Sequence, residues 1–464
     1  MPRDDDPSRL RGYRAAVVAP VGMPPIRDGI VFVEDGRIVT VTEAASVIEG
    51  HATNLGDVVI TPGLVNAHTH LDLTAYRGGV LAGLDFFGWI RTLTRSKATL
   101  TPTELLDSAR AGIRAGLARG VTTYADTANT DAALDAMVEL GVRGIAYREV
   151  FGPDPAQCAA SLAELEGHVA AMRARATPLV QVGVSPHAPY SVSDDLFAAV
   201  AAFARREGLP MAIHIAESEA ESELVVHGRG PFADFLAGRG IAVVPRAETP
   251  IALLARARAL GEQVLLIHGV RVNADDIVTM ARHGCGHAHC PHSNAWFGHG
   301  RAPLGALLAG GVRVGMGTDS LGSNDGMDVL AEAASSLATH RADAHGAPPA
   351  EREALEAADP LTLATLGGAR ALRLDDEIGT LEPDKAADLA WFPLPAELRG
   401  DGALTTAQVA AALVRAGGAA RGVLVAGRPV ATGAEPSPES SALEARVTAI
   451  SARLGEWRRA NTPG

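Results

Sequence analysis

Between Gly63 and Ser320 the chain repeats one pattern: a short β-branched run, then a stretch rich in Ala, Leu, Arg and Glu. The runs are 63–70, 121–126, 142–152, 179–190, 211–218, 264–270, 286–294 and 312–320. The stretches between them include 102–119, 131–140, 156–175, 193–207, 273–283 and 304–310. Several open as helices should: Thr101-Pro102-Thr103-Glu104 offers a cap followed by Pro, and Ser193-Asp194-Asp195 puts acids in a first turn. Eight strand–helix units fit the size of a (β/α)8 barrel, an α/β fold. The alternative, a doubly wound sheet, usually has fewer units and carries a Gly-rich nucleotide loop after its first strand. Pro62-Gly63-Leu64-Val65-Asn66-Ala67-His68 is no such loop.

The flanks follow another grammar. Ala15–Ala19, Gly29–Val33 and Arg37–Val41 are short β-type runs, and Asp35-Gly36 reads as a hairpin turn. The same style returns in Ala387–Phe392, Arg421–Gly427 and Pro429–Ala431. Together the two flanks make one small split β-sandwich with the barrel inserted in it. The expected organisation is 1–60 sandwich, 61–375 barrel, 376–435 sandwich and 436–464 C-terminal helix. In that helix Leu443, Val447, Ile450 and Leu454 recur at helical spacing.

Composition removes several classes of function. At 47% hydrophobic and 20% charged residues over 464 positions, the chain is too apolar for disorder. A net charge of −13 with no Lys/Arg block argues against a nucleic-acid partner. Three cysteines, Cys158, Cys285 and Cys290, give neither a disulfide framework nor a Cys-x-x-Cys pair. Met1–Arg11 lacks the apolar core of a signal peptide, and no apolar run is long enough to span a bilayer, so a soluble cytoplasmic protein with no membrane partner is expected. Of 41 basic residues only Lys97 and Lys385 are lysines.

In a barrel, chemistry sits at the C-terminal ends of the strands. Those ends carry His68-Thr69-His70, His187-Ala188-Pro189-Tyr190, His214-Ile215-Ala216-Glu217, His268, His289-Cys290-Pro291 and Gly317-Thr318-Asp319-Ser320. Residues i and i+2 of a strand face one way, so His68 and His70 share a side. Imidazoles and a carboxylate without thiolates suit one divalent metal, Zn2+ first and Fe2+ as the alternative. His68, His70 and His214 would supply nitrogens and Asp319 an oxygen. Such a metal brings the pKa of bound water from about 15.7 towards about 7. His268 and Asp319 would accept the water's proton, and Glu217 would act as the acid.

These pieces in this order resemble the amidohydrolase superfamily, in its mononuclear deaminase branch. The matching segments are 62–70, the His-Ala-Pro-Tyr at 187–190, 214–217, His289-Cys290-Pro291-His292-Ser293-Asn294 and 317–320, with 379–389 resembling the return into that superfamily's β-sandwich. The resemblance covers about residues 13–432. Two-metal members use a carboxylated lysine on a barrel strand. Here Lys97 is expected before a helix in the first strand-to-strand connection and Lys385 in the sandwich, which leaves a single metal. The resemblance implies an aminohydrolase acting on the exocyclic amine of an adenine-type nucleoside. It is nearest to the enzymes of 5′-methylthioadenosine/S-adenosylhomocysteine and of aminodeoxyfutalosine. His70-Leu71-Asp72-Leu73-Thr74 is similar to the His-Leu-Glu-x-Ser of the latter, departing at Asp72 and Thr74. Guanine, cytosine, pterin or chloro-triazine chemistry on the same machinery is the alternative, and a non-catalytic metal scaffold is a weaker one. The resemblance also implies a homodimer.

For substrate contacts, His187 matches a histidine that approaches substrate in that group, and Asp85 stands where a loop carboxylate binds ribose hydroxyls. Of the neighbours Arg148 and Glu149 one faces inward, and Arg148 is taken as the contact to the distal part of the substrate. Trp89, Trp296 and Phe297 are expected in loops at the active face, with Trp89 as the base-stacking candidate. Cys290 is read as structural. His283, His287, His292, His299, His340 and His345 have no strand-end argument.

Overall fold

The computed structural model describes residues 10–46, 52–432 and 437–461, so most of Met1–Arg11 lies outside the described residues. Its strands are β1 Arg11–Val18, β2 Ile26–Glu34, β3 Arg37–Glu43, β4 Ala52–Asn54, β5 Val58–Pro62, β6 Leu64–Thr69, β7 Val121–Ala128 and β8 Arg143–Val150. They continue as β9 Val180–Pro186, β10 Met211–Ile215, β11 Val264–His268, β12 Gly286–His289, β13 Arg313–Met316, β14 Leu389–Pro393, β15 Gly422–Val425 and β16 Arg428–Thr432. Two sheets result, a mixed one from the flanks and a parallel one from the middle, which together are a (β/α)8 barrel and a β-sandwich domain.

The flanking sheet runs β16-β15-β14-β5-β1-β2-β3, with β4 on β1. Its seam is β5 against β14, antiparallel from Val58↔Pro393 to Pro62↔Leu389, so the two ends of the chain complete one sheet. Asp35 and Gly36, at φ 50° and 75°, turn β2 into β3. Positive φ at both central residues matches the right-handed twist of the strands, and Asp-Gly tolerates it.

Gly63 alone separates β5 from β6. A Cβ there would lie 2.2 Å from Thr122 Oγ1, so only glycine lets the chain pass from sandwich to barrel at this point. The parallel sheet is ordered β13-β12-β11-β10-β9-β8-β7-β6. It closes at its mouth, where Thr69 bridges Asp319 and the Asp319 N–H donates to the His68 carbonyl at 3.0 Å. Asn66 reinforces the closure by donating to Thr318 Oγ1 at 2.7 Å and accepting from the Thr318 N–H at 3.0 Å.

The barrel interior is Val65, Ala67, Ala125, Ile145, Tyr147, Ala212, Leu265, Ile267 and Ala288, continuous with Ala369, Ala371 and Leu372. The helix Gly368–Ala371 therefore plugs the N-terminal end. Expected helices appear at Pro102–Leu117, Ala132–Leu140, Cys158–Arg173, Asp194–Glu207, Ala274–Arg282 and Leu304–Ala309. Thr101 makes a full capping box with Glu104, and the Ser193 side chain accepts from the Leu196 N–H. The last helix, Pro438–Asn461, buries Leu443, Val447, Ile450 and Leu454, and Arg446 pairs with Asp107 at 2.7 Å. Among the described residues no helix is long and apolar enough to cross a membrane.

Four local expectations are corrected. The seventh run does not continue as a strand to Asn294, because Pro291–Trp296 is a helix opened by its proline. Trp296 therefore ends a helix, and Phe297 is its cap residue. Trp89 lies inside the helix Phe86–Lys97, buried and edge-on to Phe297, not in a loop. Lys97 is the last residue of that helix, not a residue before one, and it reaches inward to the buried Asp72 at 2.8 Å.

Candidate active site

Five of the six strand-end histidines converge. His68 and His70 ring centroids are 4.9 Å apart, His68 and His214 4.9 Å, and His214 and His268 5.7 Å. His187 lies 4.8 Å from His214. The sixth, His289, points the other way: its Nε2 bonds Ser336 Oγ at 2.8 Å on the surrounding helix Val329–Ala342. Ala288 faces the barrel interior, so strict alternation turns both His287 and His289 outward.

Alternation also fails to explain how other residues reach the site. On β11, Leu265 and Ile267 face inward, which would send His268 outward. His268 instead adopts φ 72°, a left-handed turn that swings its ring back over the mouth. Asp319 at φ 58° and Ala216 at φ 50° do the same for the last strand end and for the turn into Glu217. Each costs about 1–2 kcal/mol for a non-glycine residue, strain of the kind that gathers at functional sites. On β6 the device is a bulge: the register passes from Asn66↔Tyr124 to Thr69↔Asp126. Three steps on one strand match two on the other, and this re-aims His68 and His70.

The donor set fits a metal ion. His68 Nε2 and His70 Nε2 each lie 3.5 Å from Asp319 Oδ1, and His70 Nε2 is 3.3 Å from His214 Nε2. A tetrahedron with bonds of about 2.1 Å has edges of about 3.4 Å. Both ring nitrogens of the buried His68 lack a hydrogen-bond partner, an expensive state that a ligated cation relieves. Burial pushes the His68, His70 and His214 imidazoles down, which keeps their lone pairs free. Burial works against ionisation of Asp319, but the neighbouring His68, His70 and His268 rings outweigh it and hold the carboxyl well below its usual range. Ser293 Oγ and Ser323 Oγ fix Asp319 Oδ2 at 2.5 and 3.1 Å.

Beside the cluster sits a buried carboxyl. Glu217 Oε1 is 3.6 Å from His268 Nε2 and 3.6 Å from His299 Nε2. Burial, then the Asp319 and Glu221 charges, raise the Glu217 carboxyl well above its usual range. His268 Nδ1 bonds Asn294 Oδ1 at 3.0 Å, which directs Nε2 to the site. Burial lowers His268 to about 4. The fully buried Glu221 accepts from the Ala216 and Glu217 N–H groups at 2.7 and 3.0 Å and so pins the strained turn.

His299, Glu221, Ser293 and Asn294 were not assigned roles from the sequence. Ser293 and Asn294 belong to the segment His289-Cys290-Pro291-His292-Ser293-Asn294 that carries part of the resemblance. His299 had no signal, since it follows a helix and reaches Glu217 only through the fold. It is held edge-on to Phe86 at 4.6 Å and stacked on Phe297 at 5.3 Å. The other expected contacts differ in placement. Asp85 caps the helix Phe86–Lys97, its Oδ1 accepting from the Gly88 N–H at 2.7 Å. Arg148 pairs with Asp131 at 3.1 Å. Of the two neighbours it is Glu149, in step with the inward Ile145 and Tyr147, whose Oε1 lies 4.0 Å from His187 Nε2.

Fold and site together define a barrel hydrolase with a histidine–aspartate cluster drawn from three strand ends. The chain belongs to the amidohydrolase family, whose profile matches residues 59–430. It is 33% identical over 386 residues to the 5-methylthioadenosine/S-adenosylhomocysteine deaminase of Desulforudis audaxviator, covering 82% of this chain and 84% of that one. It is also 33% identical over 284 residues to the aminodeoxyfutalosine deaminase of Deinococcus radiodurans, covering 59% and 66%. Among solved structures, an adenosine deaminase from Xanthomonas campestris with bound zinc superposes at a TM-score of 0.77 and 26% identity, covering 96% of this chain and 98% of that one.

Proposed function

We propose that the protein hydrolyses the exocyclic amine of an adenine-type nucleoside and releases ammonia, using one divalent metal held by His68, His70, His214 and Asp319. The observation that carries this reading is Glu217: a buried carboxyl, raised in pKa by its burial, beside the histidine–aspartate cluster. A scaffold that only held metal would have no use for it. The named relatives that act on adenine nucleosides support the substrate class. Zinc is the favoured metal, supported by the imidazole-rich donor set and by the zinc-bearing neighbour.

When bound, the metal supplies Lewis-acid activation of a water for attack on the amine-bearing ring carbon. Glu217 delivers its proton to the adjacent ring nitrogen, which removes charge as the carbon becomes tetrahedral. Asp319 and His268 relay one proton of the attacking water to the departing amine, and as the C–N bond breaks the ionised Glu217 takes up the remaining hydroxyl proton and regains its acid form. Asn294 and Ser293 keep those two acceptors aimed. His299, which burial lowers to about 4, stays neutral against Glu217 and holds its orientation. A cytoplasmic location accords with the three free cysteines.

The test is ammonia or chloride release from a panel of adenosine, 5′-methylthioadenosine, S-adenosylhomocysteine, guanine, cytosine and a chloro-triazine by zinc-loaded enzyme. Turnover confined to the last three compounds would reject the proposal. Two metal equivalents per chain would reject the single-metal site.

A further inference from the structure

His70 stands between two elements. Strand β6 ends at Thr69 and a 3-10 helix runs from Leu71 to Tyr76, so neither ladder fixes the residue that presents this ring to the cluster. The residues on either side of it are held by a single atom. Asp126 Oδ2, near the end of β7, accepts from the Thr69 hydroxyl at 2.9 Å and from the Leu71 N–H at 2.6 Å. Asp126 is also the partner of Thr69 in the β6–β7 register, just past the bulge. The next residue of β7 steadies the ring itself. Thr127 Oγ1 lies 3.4 Å from His70 Nδ1, which leaves Nε2 for the cluster.

The surroundings of Asp126 do not favour a carboxyl. It is 1% exposed, its Oδ1 has no hydrogen-bond partner, and its charged neighbours Asp72 and Glu149 are both acidic. Such a group costs folding stability unless something is gained by it. Asp72 makes the contrast. It is equally buried, but Lys97 Nζ at 2.8 Å and Thr130 Oγ1 at 2.7 Å pair with its Oδ2. Among the described residues Asp126 has no cation, and the groups it bonds are the two that flank His70. Its grip also reaches the closing edge of the barrel, because Thr69 bridges Asp319 there. One carboxyl therefore bears on the strand ends that carry His70 and Asp319.

We infer that Asp126 is a positioning residue: its carboxyl clamps Thr69 and Leu71 so that His70 Nε2 is already in place beside His214 Nε2 and Asp319 Oδ1, and this sets the affinity for the divalent metal. The inference rests on the metal site proposed above. Asp126 is not itself among the clustered donor atoms. Groups that orient the ligands of a metal without touching the ion alter its affinity about 10–100-fold when removed. The reason is geometric and entropic. Ligand atoms must lie within about 0.2 Å of their places, and a side chain that is not held beforehand must be ordered when the ion binds.

The experiment measures Zn2+ affinity by chelator competition on full-length, metal-stripped protein, with the visible spectrum of the Co2+ form as a second readout. Urea unfolding of each metal-free protein reports stability separately. Asp126→Ala should weaken Zn2+ binding at least tenfold and alter the Co2+ bands. Asp126→Asn still offers an oxygen to both donors and should stay within about threefold of the wild type. Thr69→Val keeps Asp126 and the side-chain shape but removes one of the two bonds. It should weaken binding by about three- to tenfold, and it carries the test if Asp126→Ala does not fold. Asp388→Ala, which strands the buried Arg143 at the opposite end of the barrel, should lose stability but keep its Zn2+ affinity within about threefold. The assignment is overturned if Asp126→Ala and Thr69→Val both bind Zn2+ as the wild type does, or if Asp126→Asn loses as much as Asp126→Ala. It is overturned equally if Asp388→Ala loses affinity in step with its stability. In each case the metal site itself stands. A wild type that takes up no metal ion removes the site and this inference together.

Discussion

The two ends of the barrel treat buried polar groups in opposite ways. At the C-terminal mouth, His68, Glu149 Oε1 and His299 Nε2 are buried without hydrogen-bond partners, and Ala216, His268 and Asp319 hold left-handed backbone. At the N-terminal end, Arg143 and Asp388 are both buried, yet they meet in a two-pronged pair at 2.7 and 3.1 Å. Asp388 also accepts from the Ala426 N–H at 2.8 Å, which ties the barrel to the sandwich sheet. Unsatisfied groups and strain cost stability and are retained where something is to be bound. Paired charge holds two layers together and binds nothing. The difference is the division of labour expected of this fold, with chemistry at the mouth and stability at the floor.

The sharpest way to break the comparison is Glu217→Gln. Turnover should fall by about 10²–10⁴-fold, the size of a general-acid contribution, while metal content stays near one per chain. Undiminished activity would show that the mouth does not work as described. At the floor, Asp388→Ala should strand a buried guanidinium and cost about 3–5 kcal/mol in urea unfolding, with kcat/KM per folded molecule unchanged. A fall in activity without loss of stability would reverse the roles of the two ends.

Smaller effects sharpen the mouth itself. His299→Phe keeps the aromatic contacts with Phe86 and Phe297 but removes the ring nitrogen that faces Glu217 at 3.6 Å, and should lower kcat by about 10–100-fold with KM little changed. His289→Gln should leave both turnover and metal content unaltered, because that ring faces the outer helix; depletion of metal would return His289 to the site. The smallest effect is a pH dependence. His292 is raised above its usual value by its hydrogen bond to the buried Glu332, against the opposing effect of its own burial. Its contribution to stability is therefore full below about pH 6.5 and fades as pH rises through the raised native value. Urea midpoints of wild type and His292→Gln should differ at pH 6 and converge at pH 9; a gap that persists at pH 9 would contradict this.

Much of the site was legible in the sequence because strand ends in a barrel are local events. A β-branched run followed by a polar residue marks one without knowledge of the rest, and so His68, His70, His214, Glu217 and Asp319 could be read directly. What failed was orientation. His289 ends a strand as plainly as His214 does, but its ring meets Ser336 on the far side. Glu149 and Arg148 are adjacent, and only the inward run of Ile145 and Tyr147 tells which one enters the barrel. Trp89 and Asp85 looked like loop residues because a helix opening Asp85-Phe86-Phe87-Gly88 has weak propensity, and packing of the aromatic face overrides it.

The sequence by itself determined the barrel, its insertion between two sandwich segments and the identity of the histidines and the aspartate that cluster at its mouth. Those follow from periodicity and from residue type at strand ends. The tertiary structure alone decided which side each group faces, through a bulge on β6 and left-handed turns at Ala216, His268 and Asp319. It alone brought His299 to Glu217 and Glu149 to His187. The physical reason is that a backbone angle at a non-glycine residue and a contact between distant strands are fixed by closure of the whole barrel. Neither is encoded by the few neighbours a local pattern can see.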